Sequence, residues 1–187
     1  MILRKQGVGT FVSSHTPVME SGLEVLESLD RQAQRNRLSI DVTHLNALER
    51  PATPEELEML LLPREETIDI LSVDRVITVE GKAVAYLKDV VPKIYLRRSD
   101  LGDRFTSSVL DIFLQRGTPL PATSHTEIEA VKAESDMASR LGIQRGTALL
   151  KLTGQLYSLD EKVLDYSVSY FIPGYFKFHL TRRVATG

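Results

Sequence analysis

The sequence contains no cysteine. That absence excludes disulfides, thiolate metal sites and cysteine nucleophiles together. No apolar run approaches the roughly 18 residues a membrane helix needs. The opening stretch MILRKQGVGTFV also lacks the long apolar core and small-residue cleavage site of a signal peptide. A surplus of either charge is missing too, since 23 Lys and Arg against 25 Asp and Glu leave a net charge of -2. A domain that grips nucleic acid unaided carries a strong basic surplus. Any DNA contact must therefore lie mostly elsewhere. Catalytic signatures are equally sparse. His15, His44, His125 and His179 are scattered, and no metalloprotease, nucleophile-elbow or phosphate-loop spacing occurs. The expectation is no enzyme activity, no cofactor and no metal.

What remains is an ordinary globular composition, 42% hydrophobic and 26% charged over 187 residues, which fits one main domain with a short appendage. Arg4 to Val12 reads as half of a tight hairpin whose partner strand is expected before residue 1, with Gly7 and Gly9 supplying the turn. A polar stretch to about Arg37 follows, in which Leu23, Leu26 and Leu29 fall at helical spacing. Thr53-Pro54-Glu55-Glu56 is a capping box with proline at the first helical position, and Leu57, Leu60 and Leu61 share the helix face behind it. Two extended runs, 68–79 and 82–91, meet at the two-residue turn Glu80-Gly81. Helices are expected from Ser107 to Gly117 and from Ser135 to Leu141, with strands over 123–131, 148–157 and 163–172 and a further alternating run over 175–180. Hairpin-joined strands with helices set between them argue for the α+β class with a mainly antiparallel sheet.

Period-two reading of the strands picks out candidate site residues. In 68–79, Ser72, Asp74, Val76, Thr78 and Glu80 fall on a face expected to meet water, while Leu71, Val73, Arg75, Ile77 and Val79 fall on the buried face. A guanidinium there must meet an anion or a full set of acceptors. Its planar fork also suits bidentate grip on a carboxylate or phosphate. An internal salt bridge and a ligand anchor are both open. In 163–172, Asp165, Ser167 and Ser169 share a face with Val163 and Phe171, opposite Leu164, Tyr166, Val168, Tyr170 and Ile172. The serine face is either solvated or lines a cavity. In the second case Asp165 could satisfy Arg75 or accept from a ligand. His125, Glu127 and Glu129 alternate along 123–131, a pattern that fits a solvated edge strand better than a metal site.

Taken in order, several motifs resemble a known family. Arg4-Lys5-Gln6-Gly7-Val8-Gly9-Thr10-Phe11-Val12 resembles the wing that ends the winged helix-turn-helix of GntR-type bacterial transcription regulators. Pro54 to Leu61, Arg75 with the Glu80-Gly81 turn, Pro92, Ser107 to Gly117, Ala138 to Ile143 with Gly146, Tyr157, and Asp165-Tyr166-Ser167 leading to Tyr170-Phe171 resemble the effector-sensing UTRA domain of their HutC branch. The resemblance implies a chorismate lyase-like fold. It also implies a wing remnant over 1–13, a linker with a short helix over 14–38 and an effector domain over 39–187. By the same resemblance, Arg75 matches the first arginine of the family's R-x-R element, Ser107 the serine that opens a helix, Asp165 an acidic position and Phe171 an aromatic one. Ser167 shares the face of Asp165. Two positions depart from the pattern: Ile77 stands for the second arginine and Leu87 for an acidic residue. A phosphosugar effector fits this chain poorly, and a smaller or greasier ligand with one anionic group fits better. The resemblance further implies a cytoplasmic homodimer that senses a small molecule and meets DNA only through an N-terminal domain. In the wing remnant, Arg4 and Lys5, with Gly7 and Gly9, would contribute weakly. The rival readings are a chorismate lyase-like enzyme and a dimerisation module whose pocket is vestigial.

Overall fold

The computed structural model describes residues 2–5, 9–12, 18–102, 105 and 108–184. The strands are β1 (Ile2–Lys5), β2 (Gly9–Val12), β3 (Met19–Gly22), β4 (Asp41–Pro51), β5 (Asp69–Val79), β6 (Lys82–Pro92), β7 (Pro121–Lys132), β8 (Ala148–Ser158), β9 (Val163–Phe171) and β10 (Phe176–His179). The helices are α1 (Leu29–Arg35), α2 (Pro54–Met59), α3 (Val109–Arg116) and α4 (Ser135–Leu141). Six strands form one antiparallel sheet in the order β4-β5-β6-β9-β8-β7. The expected α+β architecture with a mainly antiparallel sheet is the one observed.

Local chemistry explains the elements that hold this sheet. The β5–β6 hairpin closes on Glu80 and Gly81, whose φ values of 50° and 75° make the doubly left-handed turn that matches strand twist. Thr53 and Glu56 form the reciprocal capping box at the start of α2. Leu57 and Leu60 are buried, but Leu61 lies beyond the helix end and is 66% exposed, so it does not share their face.

Four further expectations are corrected. The N-terminal hairpin needs no strand before residue 1, because β1 pairs with β2 inside the chain, Arg4 opposite Thr10. The polar stretch holds a strand, β3, which runs parallel to β10. Its helix begins only at Leu29, where the Ser28 hydroxyl accepts from Arg31 N, and leaves Leu23 and Leu26 exposed. Strand β5 has no watery face, since Ser72, Val76 and Thr78 are buried along with Leu71 and Val73. Helices pack on both faces of the sheet, so alternation along this strand no longer separates core from solvent. Finally, a bulge shifts the β8–β9 register between Leu156 and Tyr157. The extra residue sends Leu164 to the cluster with Leu71 and Val73, and Val163 to the opposite cluster with Tyr166.

The two faces are packed differently. One carries α1, α3 and the β3–β10 pair over Leu71, Val73, Ile77, Leu87 and Phe171. The other carries α2 over Ile70, Val90 and Tyr166, and α4 over Val76, Tyr86 and Leu149. Between α2 and α4 the sheet is left open.

Candidate functional site

Arg75 lies in the middle of β5, one strand from the edge of the six. Its neighbour Val73 is the register partner of Asp89 on β6, so Asp89 sits diagonally across from the arginine on the same face. The Arg75 Nη2 group forms an ion pair with Asp89 Oδ2. Behind Asp89 stands Asp165 of β9, whose Oδ1 accepts from Val90 N at 3.2 Å. The three are 4%, 9% and 6% exposed, so the cluster is dry. The Arg75 guanidinium also lies over the Phe105 ring, 5.6 Å from its centroid.

Two carboxyls that share a hydrogen bond in a dry site cannot both be charged cheaply. Burial, and then the charge of Asp89, push the Asp165 carboxyl well above the usual carboxylate range. Burial raises Asp89 as well, but the Arg75 guanidinium opposes it. The direction is that Asp165 holds its proton more tightly than Asp89, whose charge the Arg75 guanidinium favours. In the sequence Asp165 is one candidate to satisfy Arg75, the alternative being that it accepts from a ligand. Asp89 is the direct partner and Asp165 the second layer. The missed residue carried a misleading signal: strict counting back from the Glu80-Gly81 turn pairs Asp89 with Ser72, on the face away from the arginine. A bulge between Ile77 and Thr78 shifts the register so that Asp89 pairs with Val73 instead.

The other predicted residues fall into three groups. Ile77, Leu87 and Phe171 come together in one apolar cluster beside the charged group. Phe176 and Phe178 stand edge-on to Phe171 at 4.8 and 5.1 Å. Ser167 is half-buried opposite Gly154, where an added Cβ would lie 2.9 Å from its Oγ. The glycine makes room for the serine. Ser107 and Gly7 lie outside the described residues, and Arg4, Lys5 and Gly9 belong to the β1–β2 hairpin. His125, Glu127 and Glu129 sit exposed on the edge strand β7. Among the described residues no group of three potential ligands could hold a metal ion.

Sequence reasoning also missed what covers this face. Leu29 of α1 packs on the cluster of Ile77 and Phe171. Arg31 Nε lies 3.0 Å from Asp111 Oδ1 on α3, within ion-pair range, though too far off line to count as a hydrogen bond. Burial raises the Asp30 carboxyl, with Arg75 pulling it down and Asp111 pushing it up.

On the opposite face, a groove of about 480 Å³ runs between α2 and α4, lined by Tyr86, Tyr166, Tyr170, Arg50, Asp74, Lys88 and Arg140 among others. None of the predicted site residues lines it. Its charges are matched internally. Glu56 takes both arms of Arg50 at 2.7 Å and Lys88 at 3.1 Å, Arg140 pairs with Asp136, and the Tyr86 hydroxyl donates to Asp74. The tyrosine, buried and tied to a carboxylate, has its pKa raised by burial and that bond.

The profile of the UTRA domain matches residues 36–177. The fold is similar to that of PhnF from Mycobacterium smegmatis, with a TM-score of 0.79 and 17% identity over 98% of this chain and 79% of that one. The effector domain of PhnF, solved separately, gives a TM-score of 0.74 and 18% identity over 88% of this chain and 99% of that one. A GntR-family transcriptional regulator from Enterococcus faecalis V583 gives a TM-score of 0.64 and 20% identity, covering 77% of this chain and 100% of that one. At such identities the likeness is one of fold. No curated protein matches the sequence at a significant level.

Proposed function

The chain belongs to the UTRA domain family, and from that premise we propose that it is the effector-sensing part of a bacterial, cytoplasmic transcription regulator of the GntR type, HutC branch. In this reading residues 1–13 are the wing, 14–38 the linker and 39–187 the effector domain. A small molecule held on the Arg75 face favours one arrangement of a homodimer over another. DNA affinity then changes by the difference in ligand affinity between the two arrangements. DNA is met on the N-terminal side, through the wing and the winged helix it would complete. The likeness to regulatory effector domains argues against the lyase alternative, because fold analogy alone is a poor warrant for chemistry.

The observation that carries the site is Arg75, a guanidinium buried on an interior strand beside an apolar cluster. Such a group suits single-anion recognition by its planar fork. A second reading is favoured by the Asp89 ion pair: Arg75 is permanently satisfied and the module only dimerises.

A thermal-shift screen of small carboxylates, amines, sugars and amino acids separates the two, run on the wild type and on Arg75→Lys. That variant keeps the charge and loses the fork. At 100 times its dissociation constant a true ligand stabilises by about 2.7 kcal/mol, which for a domain of this size is roughly 5–11 °C. The sensor reading expects a hit that Arg75→Lys abolishes. A chain that responds to no compound is a dimerisation module.

A further inference from the structure

Helix α1 lies just before the region that the UTRA profile covers, on the segment that joins the N-terminal hairpin to the sheet. Yet it is seated on the very face that carries the proposed effector site. Its first residue, Leu29, rests on the cluster of Ile77, Leu87 and Phe171. The next, Asp30, is half withdrawn from water, within the field of Arg75. The third, Arg31, reaches Asp111 on α3. An aliphatic group thus rests on the apolar patch, and the carboxyl next to it in the chain lies within the field of the buried guanidinium. The two positions that depart from the family pattern, Ile77 and Leu87, are part of the patch that Leu29 covers.

We propose that α1 is a tethered occupant of the effector site, and that the effector is a small aliphatic carboxylic acid which takes the places of the Leu29 isobutyl group and the Asp30 carboxylate and lifts the helix. The inference rests on the effector-site reading above and adds to it the ligand's class and the path by which binding is felt.

The helix is built to be displaced. With 7 residues it is far too short to hold its own conformation in water. It depends on the Ser28 cap, on the buried Ala33 and on Asn36, which exchanges hydrogen bonds with the Glu20 backbone of β3. The Arg31–Asp111 pair is half exposed on the arginine side, where an ion pair is worth little. A ligand that competes with α1 binds with its intrinsic affinity reduced by the fraction of molecules in which the helix has lifted. Binding and linker release are then one equilibrium, and the N-terminal hairpin is free to move only when the site is filled.

The test uses the full chain with isovalerate as probe, isopentylamine as the same body with the opposite charge, and acetate as the same charge without the body. Amide hydrogen exchange of α1 is followed against the amides of β8 as internal reference. The expected result is that isovalerate speeds α1 exchange by about tenfold and leaves β8 unchanged, while isopentylamine and acetate do neither at the same concentration. Leu29→Ala, which loosens the occupant, should lower the isovalerate dissociation constant severalfold. If isovalerate raises the melting temperature while α1 stays protected, the helix is not displaced, and the inference fails with the sensor reading intact. If only a ligand of another class raises it, the assignment of class fails and the sensor reading again survives. If nothing in the screen stabilises either the wild type or Leu29→Ala, both fall together.

Discussion

The two faces of the sheet each hold a cluster of three ionisable residues, and the clusters are near mirror images in sign. On the α1–α3 face one cation, Arg75, is shared by two carboxyls, Asp89 and Asp165. On the α2–α4 face one carboxylate, Glu56, is shared by two cations, Arg50 and Lys88. The first is sealed and the second opens on a groove. The difference decides where the surplus charge goes. In the dry cluster burial and the neighbouring carboxyl favour the protonated form of the surplus acid, Asp165. In the open one both cations stay charged, because Arg50 and Lys88 keep contact with water. Charge in excess of its partners survives only where solvent helps to carry it.

The largest effect should come from emptying the dry cluster of acid. Asp89→Asn together with Asp165→Asn takes away the Asp89 ion pair and the acid behind it, and breaking a buried ion pair costs about 3–5 kcal/mol. Asp89→Asn alone should cost less, since Asp165 can then lose its proton and take up the charge. Glu56→Gln on the other face should fall below the double variant, as Arg50 and Lys88 turn to water, though the Thr53 cap loses a charged acceptor. Urea unfolding of the three proteins orders them. A Glu56→Gln loss equal to the double variant's would show that both clusters are equally dry.

The two clusters should also titrate with opposite sign. Asp165 binds its proton more tightly in the folded than in the unfolded chain. Stability therefore declines as pH rises from the ordinary carboxylate range through its raised folded pKa. Glu56 runs the other way. Despite the burial that opposes it, hydrogen bonds from Arg50, Thr53 and Lys88 hold its pKa at about 2. Its contribution is present above the ordinary value of 4.5 and is lost as pH falls toward about 2. Stability measured against pH should therefore lose its alkaline-side decline in Asp165→Asn and its acid-side decline in Glu56→Gln. Exchange of these two effects between the variants would overturn the assignment of proton and charge.

The clusters were not equally legible in the sequence. Arg75 announced itself because one charged residue interrupts the face of Leu71, Val73, Ile77 and Val79. Asp89 was out of reach of the same counting, because a bulge between Ile77 and Thr78 shifts the register set by the Glu80-Gly81 turn by one residue and so moves it to the arginine's face. The Glu56 cluster was half visible: its capping box is a local pattern, but its bonds to Arg50 and Lys88 depend on how α2 crosses the sheet. The β9 faces were misread at Val163 and Leu164 because a bulge adds a residue to one strand without leaving a mark in composition. Least legible was α1. Seven residues with one cap give too little periodicity to place a helix, and its seat was fixed by Leu29, Ala33 and a strand, β3, that pairs with the far end of the chain.

The smallest effect should come from Lys88→Met, and it bears most directly on the contrast between the faces. Lys88 stands on the floor of the groove directly opposite Asp74 in the β5–β6 register, yet its ammonium turns to Glu56, which Arg50 already grips with both arms. Removing it leaves one cation on one carboxylate, the balanced state. A methionine keeps most of the stem's packing on the sheet, and a partly exposed ion pair is worth about 0–1 kcal/mol. The expected loss in urea unfolding is below about 1 kcal/mol, with the acid-side decline of stability only slightly reduced because Arg50 remains. A loss approaching that of the Asp89 and Asp165 double variant would mean that the groove is drier than its opening implies, and that surplus charge there is held by the protein rather than by water.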